Sequence, residues 1–204
     1  MEKRSQNKAI RTEKIYEAAM KLFGEKGFLQ TTLQDVAEAA EISTRTLYLY
    51  FPTKESILHM ASKRSIDETE EFARLLPIGM SAKRKILLTI MKNLELVYDP
   101  GFFLNVHSTN KESSVLARQM EMENMRRYED VFVSILKQEQ RNRGIENGAD
   151  CRMAAEMVVA MHRYFTKKIY CEDEKFDYQK IEKVFEQALE FGWPSIERNL
   201  LSKA

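Results

Sequence analysis

Two short helical patterns separated by a tight break lie within residues 31–58, and they constrain the fold more than any other segment. Thr32 precedes the first pattern and Asp35 follows three residues later, which is the spacing of a capped helix start. Ser43 stands at the same place before the second pattern. Pro52 ends that pattern, because proline disfavours helical geometry in the residue before it. Together these features predict a helix-turn-helix motif.

The second short helix is predicted to leave one polar face free. Leu47 and Phe51 lie four residues apart and should point inward, so the opposite face carries threonine, arginine and tyrosine side chains. Such a face suits a helix that enters a DNA groove. Arg45 is the best candidate for a base contact, because a guanidinium can bond guanine through two N–H groups for about 1–3 kcal/mol of discrimination. Thr44 and Thr46 could contact a thymine methyl group or a phosphate.

Two further residues near this helix are candidate DNA contacts. Lys54 begins the next helix, where its ammonium and the nearby amides could share a phosphate, although a solvated surface lysine is the alternative. Gln34 could touch the DNA backbone from the preceding helix. Residues 1–64 hold eleven Lys or Arg against eight Asp or Glu, a net +3, while the whole chain carries +1. This basic excess favours phosphate contacts and salt-dependent affinity, although the overall charge argues against a generally basic nucleic-acid coat.

These residues resemble the amino-terminal domain of the TetR family of bacterial transcriptional regulators, over roughly the first quarter to third of the chain. The positions that carry the resemblance are Ile15, Ala18, Ala19, Leu22, Phe23, Gly27, Phe28, Thr31, Thr32, Asp35, Val36, Ala37, Leu47, Tyr48, Tyr50, Phe51, Lys54 and Glu55. The family's turn usually carries glycine where this chain has Glu41, and its recognition helix often has glycine at Thr46 or Arg45. A glutamate in a left-handed turn would be strained by about 1 kcal/mol.

The resemblance implies a fold and further DNA contacts. Tyr48 and Tyr50 occupy aromatic positions that in the family often place hydroxyls on backbone phosphates, and Tyr50 could instead pack against the first helix. The implied fold class is all-α, with about nine helices. Residues 1–52 would form a three-helix helix-turn-helix DNA-binding domain. Residues 53–204 would form a larger helical ligand-binding and dimerisation domain.

The last two predicted helices carry apolar stripes that one monomer would not fully bury. The stripe positions are Ala154, Met157, Val158, Met161, Phe165, Ile169, Tyr178, Ile181, Val184, Phe185, Ala188 and Leu189. In the family such a pair meets its symmetry mate in a four-helix bundle, so a homodimer is expected. The alternative is that both stripes close the monomer core. Gly192-Trp193-Pro194 is expected to break or kink the final helix.

The resemblance also implies a pocket for a small-molecule effector in the middle of the chain. Candidate lining residues are Met91, Leu94, Tyr98, Phe102, Phe103, His107, Met120, Met125, Tyr128 and His162. Methionine and aromatic side chains suit an adaptable apolar cavity, but at helical spacing they more often form plain core. The implied protein is a repressor that leaves its operator when an effector of unknown identity tilts the predicted fourth helix, residues 53–75.

Catalytic and metal-site motifs are missing from the sequence. It contains no Gly-rich phosphate loop, no GxSxG and no HExxH spacing, so neither an enzyme nor a cofactor is expected. The histidines lie far apart, and Cys151 and Cys171 are not spaced as a CxxC pair. No stretch approaches about 18 consecutive apolar residues, and the start lacks the apolar core of a signal peptide, so a cytoplasmic protein is expected.

Two rival functions are compatible with the sequence. One is an activator or constitutive DNA binder of the same fold that has no ligand. The other is a helical protein-interaction adaptor whose DNA-binding head is degenerate, which Glu41 and the modest net charge would favour. Salt dependence of binding distinguishes the adaptor, because only DNA binding releases counterions from phosphates.

Overall fold

The computed structural model describes residues 2–97, 115–145, 150–172 and 177–201, without the side chains of residues 2–5, 97, 115–121 and 170–172. These residues form eight α-helices and contain no β-strand, so the expected all-α class is confirmed. The helices are α1 (Glu2–Lys26), α2 (Leu33–Ala39), α3 (Thr44–Tyr50), α4 (Lys54–Leu75), α5 (Ala82–Val97), α6 (Val115–Asn142), α7 (Arg152–Glu172) and α8 (Tyr178–Leu200).

Side-chain caps start the two short helices where the sequence predicts them. Thr32 Oγ1 accepts the backbone N–H of Asp35 at 3.1 Å, and the Asp35 carboxylate accepts the backbone N–H of Thr32 at 2.8 Å, which completes a capping box. These hydrogen bonds from Thr32 lower the pKa of the Asp35 carboxyl. Ser43 Oγ accepts the backbone N–H of Thr46 at 3.1 Å at the start of α3. Local hydrogen bonds therefore fix both helix starts.

The described chain divides into two compact units with separate hydrophobic cores. The first unit includes Met1–Arg64, and its core consists of Ile15, Ala19, Phe23, Phe28, Val36, Ala37, Ala40, Leu47, Phe51, Ile57, Leu58 and Ala61. The second unit includes Ser65–Leu96 and Glu123–Ala204, and its core is built from α5, α6, α7 and α8. Helix α4 contributes to both, with Ile57 in the first core and Ile66 in the second.

Polar contacts hold the carboxy-terminal half of α4 within the second unit. The Arg127 guanidinium on α6 lies 2.7 Å from Asp67 and 2.8 Å from Glu70, both on α4. Between α4 and α5, buried Asn93 Nδ2 donates to Thr69 Oγ1 at 3.1 Å. A buried polar pair with its hydrogen bond made costs little, so this contact fixes the position of α5 along α4 without weakening the core.

Helix α8 continues through Gly192-Trp193-Pro194, so of the expected break or kink at this segment, the break is wrong. Pro194 lacks a backbone N–H and removes one hydrogen bond from the helix interior. The residues on either side compensate, because Leu189 and Ile196 are buried in the second core and Trp193 packs against it. Burial of an apolar stripe on both sides of a proline outweighs the loss of one intrahelical bond.

The described residues contain neither a helix suited to cross a membrane nor a cluster of side chains suited to hold a metal ion. None of them combines the length and apolar character needed to cross a bilayer. Across the described ranges, no three His, Cys, Asp or Glu side chains come together in a way that could hold a metal ion. Cys151 is buried, and burial raises the pKa of its thiol. A buried thiol of this kind packs as a small apolar side chain.

Candidate nucleic-acid interface and candidate effector site

The turn between α2 and α3 has a regular geometry despite its glutamate. The Ile42 N–H donates to the Ala37 carbonyl at 3.0 Å and the Glu41 N–H donates to the Glu38 carbonyl at 2.9 Å, which is the Schellman pattern. Glu41 occupies the left-handed position of that motif with φ 53°. Its carboxylate lies 2.6 Å from Lys14 Nζ on α1, and this hydrogen bond lowers the pKa of Glu41. The turn therefore keeps the shape that glycine would give it.

Helix α3 is anchored on one side and exposed on the other. Leu47 is fully buried, and Tyr50 packs half-buried against the same core. On the opposite side Arg45 is exposed, and Tyr48 is 52% exposed. Arg45 and Tyr48 thus lie on the free side of the helix, and Tyr50 lies nearer the core.

The two threonines of α3 lie half-buried beside its start. Thr46 Oγ1 and Ser43 Oγ are 2.8 Å apart, so one hydroxyl of this pair donates to the other. A hydroxyl that takes part in a cap still has a free lone pair or a methyl group to present. Thr44 and Thr46 remain able to contact a groove floor or a phosphate. Gln34 is exposed on α2.

Lys54 is fixed more firmly than the sequence suggests. Its Nζ donates to the Phe28 carbonyl at 2.8 Å and to the Leu29 carbonyl at 3.4 Å, and it stands 4.6 Å from the centre of the Phe28 ring. Lys54 thereby ties the start of α4 to the loop between α1 and α2. An ammonium has three donors, so one remains for a further acceptor.

A second contact joins α1 to α4 inside the first unit. The Arg64 guanidinium makes a two-bond pair with the Glu13 carboxylate, with Nη1 at 2.8 Å from Oε1. The guanidinium also stacks 4.3 Å from the centre of the Tyr16 ring. The hydrogen bond from Arg64 lowers the pKa of Glu13. Helix α1 is thus held in position by α4, the helix that begins at Lys54.

The described members of the expected effector site lie in the second core. Met91, Leu94, Tyr128 and His162 are all buried there, with Met125 partly buried at its edge. The Tyr128 and His162 ring centres are 5.4 Å apart, so the structure brings these two candidates together. The other candidates lie outside the residues or side chains that the structure describes; they are Tyr98, Phe102, Phe103, His107 and Met120.

Three buried polar atoms in this core have no hydrogen-bond partner among the described residues. They are Tyr128 Oη, His162 Nε2 and Thr166 Oγ1, and we refer to them as the polar triad. Burial lowers the pKa of His162 to about 3, with a smaller effect of Arg163, so the imidazole is neutral. Burial also raises the pKa of Tyr128 well above its ordinary value, so its hydroxyl keeps its proton. Each member is an uncharged polar group enclosed by apolar side chains.

An open apolar groove of about 660 Å³ runs between α7 and α8. It is lined by Met161, Phe165, Lys168, Ile169, Lys180, Val184, Gln187, Ala188 and Phe191. Phe191 is 93% exposed, and Met157 on the neighbouring surface of α7 is also exposed. The predicted stripes therefore divide. Ala154, Val158, Ile181, Phe185 and Leu189 close the monomer core. Met161, Phe165, Ile169, Val184 and Ala188 line the groove, and Met157 and Tyr178 are exposed outside its lining.

Comparison with known proteins identifies the family. A sequence model of bacterial regulatory proteins of the tetR family matches residues 15–61. The chain is 26% identical to the fatty acid metabolism regulator protein of Bacillus subtilis strain 168 over 165 residues, which is 80% of this chain and 85% of the relative. The chain belongs to the TetR family.

Two further comparisons agree with this TetR-family assignment. The crystal structure of the transcriptional regulator FadR from Bacillus subtilis, in complex with stearoyl-CoA, has a TM-score of 0.69 and 25% identity, covering 87% of this chain and 96% of that one. The biofilm operon negative regulator IcaR of Staphylococcus aureus strain Newman is 40% identical over 55 residues, which is 27% of this chain and 30% of IcaR. The second similarity is thus confined to a short segment of both proteins.

Several residues that shape the candidate nucleic-acid interface and the candidate effector site were not predicted from the sequence. The Arg64–Glu13 pair joins residues 51 positions apart, and no local pattern could have indicated it. Thr166 had a weak signal, because it lies four residues after His162 and a helix places such residues on one face. The anchoring of Lys54 to carbonyls of the α1–α2 loop was also not foreseen, since backbone acceptors leave no mark in a sequence.

Proposed function

We propose that this TetR-family protein is a homodimeric transcriptional repressor that binds operator DNA through α3 and is released by a small-molecule effector. The observation that carries the proposal is the exposed polar face of α3 on a helix whose other side is fixed by buried Leu47. A recognition helix must present its side chains without folding them into its own domain. Residues 1–52 would read DNA, and residues 53–204 would bind the effector and the second copy.

The proposed DNA contacts divide into base reading and backbone positioning. Arg45 is exposed with a free face toward solvent and would contact a base edge, because guanidinium matches guanine in the major groove. Thr44 and Thr46 would contact a thymine methyl or a phosphate. The remaining residues would position the protein on the phosphates; they are Gln34, Tyr48, Lys54 and Tyr50, the last of which also packs against the first core.

We propose that the α7–α8 groove is covered by a second copy of the chain. Its apolar lining and the nearly bare Phe191 side chain support this, because a monomeric protein rarely leaves such a surface in water. A two-fold pairing would present two recognition helices to half-sites about 34 Å apart. A regulator that acts on operator DNA would work in the cytoplasm.

The proposed effector acts through differential affinity for two states of the dimer. Effector bound in the second core would tilt α4, change the separation of the two α3 helices and lower operator affinity. Because the structurally similar FadR structure contains stearoyl-CoA, long-chain acyl-CoA is the first effector class to test. The ion pairs from Arg127 to α4 support α4 as the responsive element, since they join it directly to the helix that carries Tyr128.

The decisive experiment combines genome-wide mapping of bound DNA with anisotropy titrations of the recovered operator. We expect Arg45→Ala to weaken operator binding by about 30-fold or more, because about 1–3 kcal/mol would be lost at each of the two half-sites. Arg74→Ala removes a solvent-exposed arginine of the second unit and serves as the matched control, expected to bind like the parent protein.

Three results would contradict the proposal. One is a parent protein that ignores duplex DNA at low salt, which the adaptor function predicts. Another is affinity for the operator that does not exceed affinity for a scrambled duplex. For the effector step, operator affinity that stays constant when acyl-CoA saturates the protein would exclude this class as the releasing ligand.

A further inference from the structure

The polar triad differs from the other buried polar side chains of the second unit. Thr69 and Thr89 each donate to the carbonyl four residues earlier, at 2.6 Å and 2.7 Å. Gln140 Nε2 donates to the Leu200 carbonyl at 3.1 Å. Thr166 could satisfy its hydroxyl in the same way as the other two threonines, yet its Oγ1 makes no hydrogen bond within the described part of the chain. An unpaired buried polar group is costly, so three in one place require an explanation.

The triad is compact. His162 and Thr166 lie one turn apart on the same face of α7, and the Tyr128 ring on α6 lies 5.4 Å from the His162 ring. The residues are 4–6% exposed. Phe132 stacks on Tyr128 at 4.9 Å and Phe185 on His162 at 5.7 Å between ring centres. The Tyr128 and His162 rings are therefore packed edge-to-face against aromatic side chains.

We propose that the polar triad binds an uncharged hydrogen-bonding group of the effector, a carbonyl or a hydroxyl carried on an apolar frame. This inference rests on the proposed effector-responsive function and names the chemistry of its ligand. The Tyr128 and Thr166 hydroxyls can both donate, and the neutral imidazole can donate or accept through Nε2 according to its tautomer. An acceptor oxygen of the ligand would pair with the Tyr128 or Thr166 hydroxyl as donor.

The same surroundings disfavour a carboxylate at this position. A buried carboxylate requires a cation or several strong donors, and the imidazole is neutral. The adjacent cation, Arg163, is exposed, with its Nη1 3.5 Å from Met125 Sδ. Free carboxylic acids should therefore bind more weakly than the corresponding alcohols or esters.

The test uses the full-length protein and three probes with the same chain length, namely 1-decanol, methyl decanoate and decanoate at pH 7.5. Binding is measured by thermal shift and by calorimetry, without DNA. We expect the two neutral probes to bind and to raise the unfolding temperature, and decanoate to bind at least tenfold more weakly. A tenfold difference in affinity corresponds to about 1.4 kcal/mol, roughly the effect of one contact that depends on the charge of the ligand.

Isosteric variants then test the triad itself. We expect Tyr128→Phe and Thr166→Val each to weaken binding of the neutral probes about three- to tenfold, the loss of one hydrogen bond. The ligand-free variants should be at least as stable as the parent, because each removes a buried hydroxyl that lacks a partner. Tyr164→Phe, which changes an exposed tyrosine of the same helix, should leave binding unchanged.

Several outcomes would overturn the inference. Decanoate binding as tightly as the neutral probes would contradict it, as would probe affinities that neither variant changes. Failure of both neutral probes to bind also contradicts it. A clear loss of stability in the ligand-free variants would show that an internal water, rather than a ligand, satisfies the triad. None of these outcomes involves operator binding, so a failed inference and a failed DNA-binding function can be told apart.

Discussion

Glu41 shows how a single residue can depart from the usual pattern without changing the geometry. The left-handed conformation at φ 53° costs a residue with a side chain more than it costs glycine. We expect Glu41→Gly to raise the unfolding temperature by up to about 2 °C, measured by circular dichroism, because relief of about 1 kcal/mol of conformational strain is partly offset by the loss of one exposed ion pair. Glu17→Gly within α1 is the control and should lower it. A lower unfolding temperature for Glu41→Gly would show that the Lys14 contact is the larger effect.

His162 should make stability sensitive to mild acid. Its pKa is about 3 in the folded chain and 6.5 ordinarily, so below pH 6.5 the unfolded state takes up a proton that the folded state does not. Stability is therefore lost as pH falls, by up to about 2 kcal/mol between pH 7 and pH 5 for one such group. Urea titrations at the two pH values should show this loss in the parent protein.

In these urea titrations, two variants distinguish the effect of the His162 imidazole on stability from the effect of its surroundings. His162→Phe should flatten the pH dependence because no group remains to take up the proton. Thr166→Val keeps the imidazole buried, so the loss of stability toward pH 5 should persist. An equally steep dependence in His162→Phe would assign the acid sensitivity to another residue.

Among the elements, α1 and α4 are joined by the Glu13–Arg64 pair. Because hydrogen bonding lowers the pKa of Glu13, its contribution is present above the ordinary value of 4.5 and is lost as pH falls below it. We expect Glu13→Gln to lower stability by about 0.5–1 kcal/mol at pH 7, a value limited by solvent screening of two partly exposed groups. The difference from the parent should vanish near pH 3.

The matched control for that measurement is Glu25→Gln. Glu25 lies 4.0 Å from Lys21 on the same helix, and both side chains are more than half exposed. Its stability should match that of the parent at both pH values. If Glu13→Gln also has no effect at pH 7, the two-bond pair is a surface contact without energetic weight.

The sequence predicted helix starts better than helix continuations. Thr32 and Ser43 are caps because a hydroxyl beside an unpaired amide has a local partner, and local partners are visible in sequence. The uninterrupted course of α8 through Pro194 was not predictable in this way. Whether proline breaks a helix depends on how much apolar surface the following turn buries, and that burial is supplied by distant residues.

The whole molecule is expected to be active as a dimer. Phe191→Asp places a charge in the α7–α8 groove and should shift the protein to monomers in sedimentation equilibrium, with a parallel loss of operator affinity. Ile78→Asp is the matched control, because Ile78 is 79% exposed and lies outside the groove. A Phe191→Asp protein that remains dimeric would place the pairing surface elsewhere.

At the scale of the whole molecule, the sequence predicted the fold class and the recognition helix. It did not define the full lining of either the effector site or the α7–α8 groove. The stripes on α7 and α8 were visible as periodicity, yet periodicity alone does not separate residues such as Val158, which is buried, from Met157, which is exposed. A wide apolar arc can face a core and a partner at once. The neighbourhood of Tyr128 and His162 was identified only through family resemblance, because hydrogen-bond satisfaction is a property of coordinates.

The composition of α4 limits how this protein can pass a signal. Its 22 residues include neither glycine nor proline, and sharp bends in helices usually occur at such residues. The helix therefore has no evident hinge along its length of about 33 Å. Without a weak point of this kind, bending of α4 would have to be spread over many residues, each of which would change its backbone angles only slightly.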